Sequence, residues 1–571
     1  MSARPATQFS SNIKSQTKTL PWPPQLLFFA LLFAGIMLLH APLLRLPYFW
    51  DEAGYYIPVA HDLYLTGSPI PQSTLSNAHP PLVMVWLAFA WRIFGYSILV
   101  TRTAMLALAA VSLLGLFRLA RVAGNSHIAI AVTALTAIYP VFFTQSSLAQ
   151  VDLPAAGFTF WALAAYFEAR PMRMAFWFSL AALTKETAVV APVALFAWEL
   201  AAPISRRQFG EPASIPAPSV RTCLLCLLAP LAPLACWFAH HRAKTGYLFG
   251  NPEFFRYNVA ATLNPLRIPI AFALRLWQTF GYGGLYVLSL AALLAMLRPA
   301  RADPRVPRPR IAIRQQAAFA AVVIAYLLFM SVVGGAALAR YLLPVVPLII
   351  LLFVATLWRR IRYWKLLIAA VAIAFIAGLS TNPPYGFAIE DNLAYGDFVV
   401  MHAEASRFLA ITHPNSAVLT AWPASDELTR PWLGYVAHPF HVVRIEDFTA
   451  QQIDVARSRR NEFDTALVFS TKYQPPHGFL DNWEAWRKIK EQFFGYHRDL
   501  PPEEVARRLA GAIVFHKERN GLWIAVIALN KDQDAGIHPP ELSQQMARVR
   551  LDHNPDILSG NQPESVASRE R

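Results

Sequence analysis

The stretch that decides the fold runs from Tyr48 to Pro81 and reads YFWDEAGYYIPVAHDLYLTGSPIPQSTLSNAHPP. It directly follows the first long apolar segment, so the adjacent carboxylates of Asp51 and Glu52 lie where the chain leaves the apolar phase. Apolar side chains then recur on one helical face up to Gly67, at Ala53, Tyr56, Ile57, Ala60, Leu63 and Tyr64. The pattern predicts a helix on a membrane surface with two acids in its first turn.

The composition excludes an ordinary soluble protein. Of 571 residues, 55% are hydrophobic, and the mean hydropathy is +0.36, which is typical of a polytopic membrane protein. The net charge of +15 is concentrated in short loops between apolar segments, where the positive-inside rule explains it. Because no nucleic-acid-binding module accompanies this charge, we predict membrane lipid and no nucleic acid as a partner.

All three cysteines, Cys223, Cys226 and Cys236, fall in one apolar segment. The first two have a metal-like spacing, but they lack a second pair and a neighbouring polar ligand. We therefore interpret these thiols as packing residues and predict neither disulfides nor a structural zinc site.

Apolar segments long enough to cross a bilayer, by the criterion of about 20 residues, lie at about 25–44, 98–120, 126–143, 153–169, 222–239, 276–297, 316–334, 342–358 and 365–380. The first follows a basic stretch, and no small-residue cleavage site comes after it. We interpret it as an uncleaved span after a cytoplasmic tail, residues 1–24. The segment 81–96 is short and carries Arg92, so we expect an interfacial helix within a first outer loop, residues 45–97.

The region 174–199 decides the topology, because it can cross the membrane once or form a hairpin. A hairpin that enters and leaves on the cytoplasmic side keeps four basic loops inside, whereas a single crossing would put three of them outside. These loops carry Arg170 and Arg173; Arg206, Arg207 and Arg221; Arg298, Arg301, Arg305, Arg308, Arg310 and Arg314; and Arg359, Arg360, Arg362 and Lys365. The predicted hairpin brings all candidate chemistry to the outer face.

The composition changes at 380–384, and residues 381–530 have the pattern of a small α/β domain outside the membrane. Apolar runs at 417–420 and 466–469 predict buried strands, with helical stretches such as 447–459 between them. The dipeptide Asn520-Gly521 separates two further runs, 513–515 and 522–529, which predicts a hairpin. Residues 531–571 are polar with scattered Pro, Gln and Ser, and we predict that they are disordered.

Three acids stand at predicted helix starts on the outer face: Asp51, Glu52 and Asp152. Each has a structural alternative, because acids favour the first helical turn, where they meet free N–H groups and the helix dipole. Asp152 precedes Leu153-Pro154, which is an N-cap pattern. A chemical role is favoured because these acids and several cations are predicted to lie on the same side of the membrane.

The basic residues on this face are His79, Arg102, Lys185 and Arg340, and Tyr341 directly follows the last of them. Lys185 and Glu186 lie at the predicted hairpin tip, within the bilayer thickness, where charges are costly and usually functional. Interfacial snorkelling is the alternative for the arginines, and a surface position is the alternative for His79. His241 and Arg256 on a later outer loop are further candidates for contact with a substrate. Cations that neutralise a leaving phosphate, beside a carboxylate that accepts a proton, fit a lipid-linked phosphate substrate.

At these residues the sequence resembles the bacterial branch of the protein mannosyltransferase-type integral membrane glycosyltransferases. That group has the GT-C fold and includes the aminoarabinose transferase that acts on lipid A. The matching elements lie within residues 25–380: Asp51-Glu52, Pro80-Pro81, Asp152, Thr184-Lys185 and Arg340-Tyr341. The resemblance implies an all-α polytopic membrane domain with about eleven spanning or re-entrant helices, followed by a small α/β periplasmic domain.

Such enzymes transfer a sugar, with inversion, from a polyprenyl-phosphate donor to a lipid, glycan or protein acceptor on the periplasmic side of the bacterial inner membrane. The resemblance implies that Asp51 is the general base or orients the acceptor hydroxyl, and that Glu52 and Asp152 shape the acceptor side. The donor phosphate would be held by Lys185, Arg340 and Tyr341, with Arg102 and His79 as further candidates. Relatives commonly have lysine where this chain has His79, whose charge depends on pH. No cofactor is required, and a divalent cation is compatible with the reaction but not indicated.

Two other functions remain open on the sequence. In a lipid or solute transporter, Lys185 and Glu186 would be pathway charges within a broken helix. In an assembly or scaffold protein, the outer domain would bind the partner and the membrane part would anchor it. The surface helix with Asp51 and the large outer domain disfavour the transporter, and the intramembrane Lys185 disfavours the scaffold.

The topology is tested by single-cysteine labelling in a variant whose three native cysteines are replaced by serine. We expect a membrane-impermeant maleimide to label Gln72→Cys from outside, and Arg305→Cys only after the membrane is opened, because the charged loops stay inside. Labelling of Arg305→Cys in sealed cells would contradict this topology.

Overall fold

The computed structural model describes residues 22–209, 219–301, 308–475 and 483–529. The predicted disordered tail, residues 531–571, lies outside the described residues, as does nearly all of the predicted N-terminal tail. The chain up to Leu529 forms one compact unit. The domain boundary at 380/381 therefore stays a prediction.

Helices form almost all of the regular structure up to Ser380. The first group is α1 (Trp22–Leu39), α2 (Ile57–Thr66), α3 (Leu82–Phe94), α4 (Ile98–Ala123), α5 (Ser126–Ile138), α6 (Pro140–Gln145) and α7 (Asp152–Phe167). The second group is α8 (Pro171–Thr184), α9 (Val190–Phe209), α10 (Val220–Leu228), α11 (Leu231–Thr245), α12 (Pro252–Asn258), α13 (Arg267–Phe280), α14 (Leu285–Met296), α15 (Ile313–Val332), α16 (Val346–Arg360) and α17 (Trp364–Ser380).

Each predicted apolar segment contains a helix, but several of these helices are interrupted. Pro230 lies between α10 and α11, and Gly283 and Gly284, both with positive φ, lie between α13 and α14. By length and composition, four helical stretches among the described residues can cross a membrane: Ile98–Ala123, Val220–Thr245, Arg267–Met296 and Ile313–Val332. Shorter apolar helices of 10–17 residues lie at Leu26–Leu39, Leu82–Phe94, Ser126–Ile138 and Trp364–Ser380.

The helices α8 and α9 form the hairpin that the sequence predicts, with Lys185 in extended backbone at its tip. At the open end of the hairpin, Glu199 of α9 pairs with Arg314 at the start of α15 and accepts a hydrogen bond from Tyr166 near the end of α7. At the tip, Lys185 pairs with Asp152 at the start of α7. The hairpin therefore extends along the whole of α7 and returns. The side of the membrane from which it enters stays a prediction.

Small residues let α4 and α7 approach closely. Gly157 of α7 lies directly against Ser112 of α4, and Gly115 of α4 lies against the indole of Trp161 on α7. Close approach of this kind is how membrane helices gain packing energy where lipid supplies no hydrophobic drive. The pair α4–α7 therefore forms a rigid centre for the bundle.

The sequence after Ser380 folds into an α/β domain. Its elements are α18 (Ala394–Thr412), β1 (Ala417–Ala421), α19 (Ala424–Thr429), β2 (His441–Ile445), α20 (Ala450–Ser458), β3 (Thr465–Phe469), α21 (Glu484–Phe494), α22 (Pro502–Arg508), β4 (Gly511–Arg519) and β5 (Leu522–Leu529). The strand order is β2-β1-β3-β5-β4, with the first three strands parallel and β5 antiparallel to both of its neighbours. The predicted turn at Asn520-Gly521 joins β4 to β5, whereas β2 was not predicted.

The α/β domain rests on the surface helix. The apolar side chains of Ile57 and Ala60 belong to the same buried cluster as Phe398 and Phe469. The hydroxyl of Tyr435 donates to the carbonyl of Tyr48 at 2.9 Å. One continuous core thus fixes the domain above the loop that contains Asp51.

We expect Gly157→Ala to lower the thermal unfolding temperature of the purified protein, because the new Cβ would lie 2.8 Å from the Ser112 Cα. Overpacking of this kind costs about 1–3 kcal/mol. The matched control is Gly35→Ala in α1, where nothing lies within 4 Å of the added methyl group. Equal unfolding temperatures for both variants would contradict the close packing of α4 on α7.

Candidate active site

A cavity of about 490 Å³ lies where the surface helix, the hairpin tip and the α/β domain meet. Five of the predicted site residues line it: Asp51, His79, Lys185, Arg340 and Tyr341. The first outer loop, the hairpin tip, the segment that contains Arg340 and the α/β domain therefore converge on one space.

Arg340 is the centre of this arrangement and is only 3% exposed. One guanidinium nitrogen donates to Glu390 at 2.8 Å and to Gln150 at 2.6 Å, and the other terminal nitrogen donates to Asp51. Its Nε lies 3.4 Å from an Asp152 carboxylate oxygen. We call Asp51, Asp152, Glu390 and Arg340 the Arg340 cluster. A buried guanidinium is stable only with such compensation.

Lys185 extends the cluster. Its ammonium group donates to Asp152 and lies 4.0 Å from the ring centroid of Tyr341. The extended backbone between α8 and α9 directs this side chain across the hairpin tip toward the start of α7. A carboxylate on one side and an aromatic face on the other hold the lysine in place.

The backbone beside two site residues is strained. Trp50 has φ +45° and Ala78 has φ +57°, a left-handed region that costs energy for residues other than glycine. They immediately precede Asp51 and His79. The first helical turn after Asp51 is a π turn, Glu52–Tyr56, a feature that is frequent at functional sites.

Asp51 does not cap its helix, and neither does Asp152. Both carboxylates instead pair with the basic side chains of the cavity. The helix-cap alternative therefore does not describe either residue. The Asp51 side chain is 31% exposed and the Asp152 side chain 3%, so of the two only Asp51 presents a carboxylate to the cavity.

Glu52, predicted to shape the acceptor side, and Arg102, a predicted candidate for the donor phosphate, do not line the cavity. The fully buried Glu52 carboxylate accepts from the backbone N–H groups of Phe49 and Ala149 and from Arg102. Arg102 also donates to the carbonyl of Pro47 at 2.9 Å. Successive residues of a helical turn point in different directions, so Asp51 and Glu52 cannot share one task.

The histidines divide in the same way. His79 lines the cavity, and its Nδ1 lies 3.1 Å from a carboxylate oxygen of Glu186. His241 is fully buried and bonds Ser76 and the carbonyl of Tyr247, so it fixes the end of the first loop and does not face the cavity. Arg256 on α12, the other candidate of that loop, is exposed and does not line the cavity.

The chain after Ser380 contributes residues to the cavity lining that were not predicted, among them Glu390, Trp422 and Lys472. Burial raises the pKa of Glu390, with Arg340 opposing that shift, and burial raises the pKa of Asp391 to about 8. Burial lowers the pKa of Lys472. Glu390 and Asp391 are adjacent acids shortly after an apolar segment, as Asp51 and Glu52 are. The same sequence pattern could therefore have predicted them as site residues.

Within the described ranges, no group of three or more His, Cys, Asp or Glu side chains is arranged to hold a metal ion. The three cysteines are free, with Cys226 buried and Cys236 exposed. The acids of the Arg340 cluster are instead directed at a guanidinium.

We expect Arg102→Gln to lower the thermal unfolding temperature strongly, because removal of one partner of a buried ion pair costs about 3–5 kcal/mol. In the double variant Glu52→Gln/Arg102→Gln, the unfolding temperature should fall by less than the sum of the decreases in the two single variants. The exposed Arg256→Gln is the control and should leave the unfolding temperature unchanged. A stable Arg102→Gln protein would contradict the structural role of this pair.

Comparisons with known proteins fit this architecture. The family profile of dolichyl-phosphate-mannose-protein mannosyltransferases matches residues 78–237, less than a third of the chain. A comparison with curated protein sequences gave no match. The oligosaccharyltransferase of Archaeoglobus fulgidus, in complex with zinc and sulfate, aligns with a TM-score of 0.41 and 12% identity over 88% of this chain and 72% of its own. That likeness is too weak to establish a common fold.

The structures of ArnT from Cupriavidus metallidurans, bound to undecaprenyl phosphate and in the apo state, align with a TM-score of 0.50. In both cases the identity is 14%, and the alignment covers 88% of this chain and 98% of the other. The chain is therefore an integral membrane protein with the GT-C fold that its sequence resemblance predicts, an all-α membrane part followed by a small α/β domain.

Proposed function

We propose that this protein is a membrane glycosyltransferase that moves a sugar from a polyprenyl-phosphate donor to a lipid, glycan or protein acceptor. One observation carries the proposal: the carboxylate of Asp51 is presented to a cavity that also contains Lys185 and Arg340. The matched family profile names a dolichyl-phosphate sugar, and one ArnT structure contains undecaprenyl phosphate. Both are lipid phosphates of the class that these cations suit.

The proposed reaction is a single inverting displacement at the anomeric carbon. The acceptor hydroxyl oxygen forms the new bond to that carbon, while the bond from the carbon to the phosphate oxygen breaks. The hydroxyl proton passes to Asp51, and the electron pair of the broken bond leaves with the polyprenyl phosphate. Lys185 and Arg340 stabilise the charge that develops on the leaving phosphate.

The other members of the Arg340 cluster act as positioning residues. Asp152 holds the ammonium of Lys185 and lies beside the Nε of Arg340, and Glu390 fixes a second edge of the same guanidinium. Groups already oriented toward developing charge need no reorganisation during the reaction. Tyr341 forms an aromatic face below Lys185, which restricts the lysine to one side of the cavity.

Arg340 links the two halves of the reaction, because it contacts Asp51 directly. A donor phosphate that binds the Arg340 guanidinium competes with the Asp51 carboxylate for its N–H groups. Donor binding would thereby release Asp51 toward the acceptor. His79, paired with Glu186, places its imidazole ring in the same cavity, where relatives commonly have lysine.

The ion pairs argue against the transporter alternative. Lys185 lines the first cavity and pairs with Asp152, and Glu186 pairs with His79, which lines the same cavity, so both charges are held by partners at one end of the bundle. A pathway charge must be reached from both faces of a membrane. We propose the periplasmic face of the bacterial inner membrane as the site of transfer, as the loop charges predict.

We expect Asp51→Asn to lower transfer about 10²- to 10⁴-fold, the contribution of a general base. Purified protein is incubated with undecaprenyl-phosphate sugars and cell-envelope extract as the acceptor, and released undecaprenyl phosphate is measured by mass spectrometry. Binding of undecaprenyl phosphate itself should persist in Asp51→Asn and weaken in Lys185→Ala.

The matched control is Asp454→Asn on α20, which changes an exposed aspartate far from the cavity lining. Its transfer rate should equal that of the wild type. Wild-type turnover in Asp51→Asn would contradict the assigned role of this carboxylate. Failure of the wild type to release undecaprenyl phosphate from any of the donors would contradict the proposed function as a whole.

A further inference from the structure

A second cavity, of about 290 Å³, lies at the opposite end of the bundle, between α4, α7 and α8. Its walls include Arg118, Trp161, Glu168, Arg173, Phe176 and Trp177. Glu168 directly follows α7, whose first residue is Asp152, and a helix of 16 residues is about 24 Å long. The two cavities are therefore separated by most of the hydrocarbon thickness of a bilayer.

The floor of this cavity is built by close packing. The indole of Trp161 lies flat on α4 because Gly115 has no side chain: an added Cβ would come within 2.6 Å of the ring. Its Nε1 donates to the carbonyl of Val111 at 2.9 Å. Trp177 stacks on the same indole, with ring centroids 5.2 Å apart. The aromatic floor is thus fixed before any ligand arrives.

Arginines at the rim outnumber acids. Arg118 donates to both carboxylate oxygens of Glu168, at 2.8 and 2.6 Å, and Arg170 lies 3.7 Å from the same carboxylate. Arg173 is exposed and has no ion-pair partner among the described residues. Ala169, in the short turn between α7 and α8, has φ +56°. The turn therefore presents Glu168, which two arginines contact, close in sequence to Arg173.

The outer wall of the cavity faces away from the protein. Phe176, which lines the cavity, is 56% exposed, and Met172, one turn before it on α8 and outside the lining, is 74% exposed. Large apolar side chains that are exposed beside a membrane-crossing bundle fit contact with acyl chains. The cavity therefore opens between a charged rim and an apolar, lipid-facing surface.

We infer that this second cavity binds the phosphate group of an anionic membrane lipid, with Arg173 and Arg118 contacting the phosphate and the acyl or prenyl chain lying along Phe176. Basic pockets between membrane helices bind anionic headgroups by this combination of charge and shape. The space suffices for a headgroup, and the hydrocarbon chain remains outside it. The inference does not depend on the proposed transfer reaction, because it uses none of the residues of the first cavity.

The test is native mass spectrometry of delipidated full-length protein titrated with phosphatidylglycerol, undecaprenyl phosphate or phosphatidylcholine. We expect Arg173→Gln to weaken binding of phosphatidylglycerol about fivefold, since each cation near a membrane surface contributes about 1 kcal/mol. Phosphatidylcholine should bind weakly to both proteins. A loss confined to undecaprenyl phosphate would assign the site to that lipid phosphate instead.

The matched control is Arg362→Gln, which removes an exposed arginine from the loop between α16 and α17, at the same end of the bundle. It should leave the binding of every lipid unchanged, whereas a general effect of surface charge would lower binding in both variants. Equal losses in the two variants, or no loss in Arg173→Gln, would overturn the inference. Both arginines are exposed, so neither substitution is expected to impair folding.

Discussion

The structure depends on one buried guanidinium that three carboxylates share. Arg340, at the start of the segment leading into α16, meets Asp51 after α1, Asp152 at the start of α7, and Glu390 after α17. A buried charge without partners would be strongly destabilising. The segments that carry Arg340 and its three carboxylate partners must therefore meet at one place in the folded protein. The hairpin of α8 and α9 satisfies the same requirement by bringing Lys185 to Asp152.

The cations that the proposed donor phosphate would meet are already paired with carboxylates of the protein. Two basic side chains, Lys185 and Arg340, face three carboxylates, and burial raises the pKa of Glu390 while Arg340 opposes that shift. A donor phosphate adds negative charge at the position where Asp51 meets Arg340. The proposed proton transfer to Asp51 removes one negative charge from that carboxylate as charge develops on the leaving phosphate.

The sequence predicted the convergence of Asp51, Lys185 and Arg340, because the charges of the loops determine which helix ends share a face. It did not predict the direction of individual side chains. Glu52 follows Asp51 in the chain yet points into the protein toward Arg102, and that orientation depends on the local π turn. No local pattern marks such a turn in advance.

Most membrane helices were predicted from the lengths of apolar segments, and four of the five strands from short apolar runs. The strand β2 has five residues, of which only two are buried and two are basic or histidine, so it carried little signal. The residues missing from the predicted site, such as Trp422 and Lys472, come from the α/β domain. Their place depends on how that domain packs on the surface helix, through contacts between residues hundreds of positions apart.

The most direct test of the account is a cryo-EM structure of the protein with undecaprenyl phosphate. The account predicts phosphate density within hydrogen-bond distance, about 3 Å, of both the Lys185 ammonium and the Arg340 guanidinium, with the Asp51 carboxylate released from Arg340. Phosphate density elsewhere, with the contact between Asp51 and Arg340 intact, would contradict it.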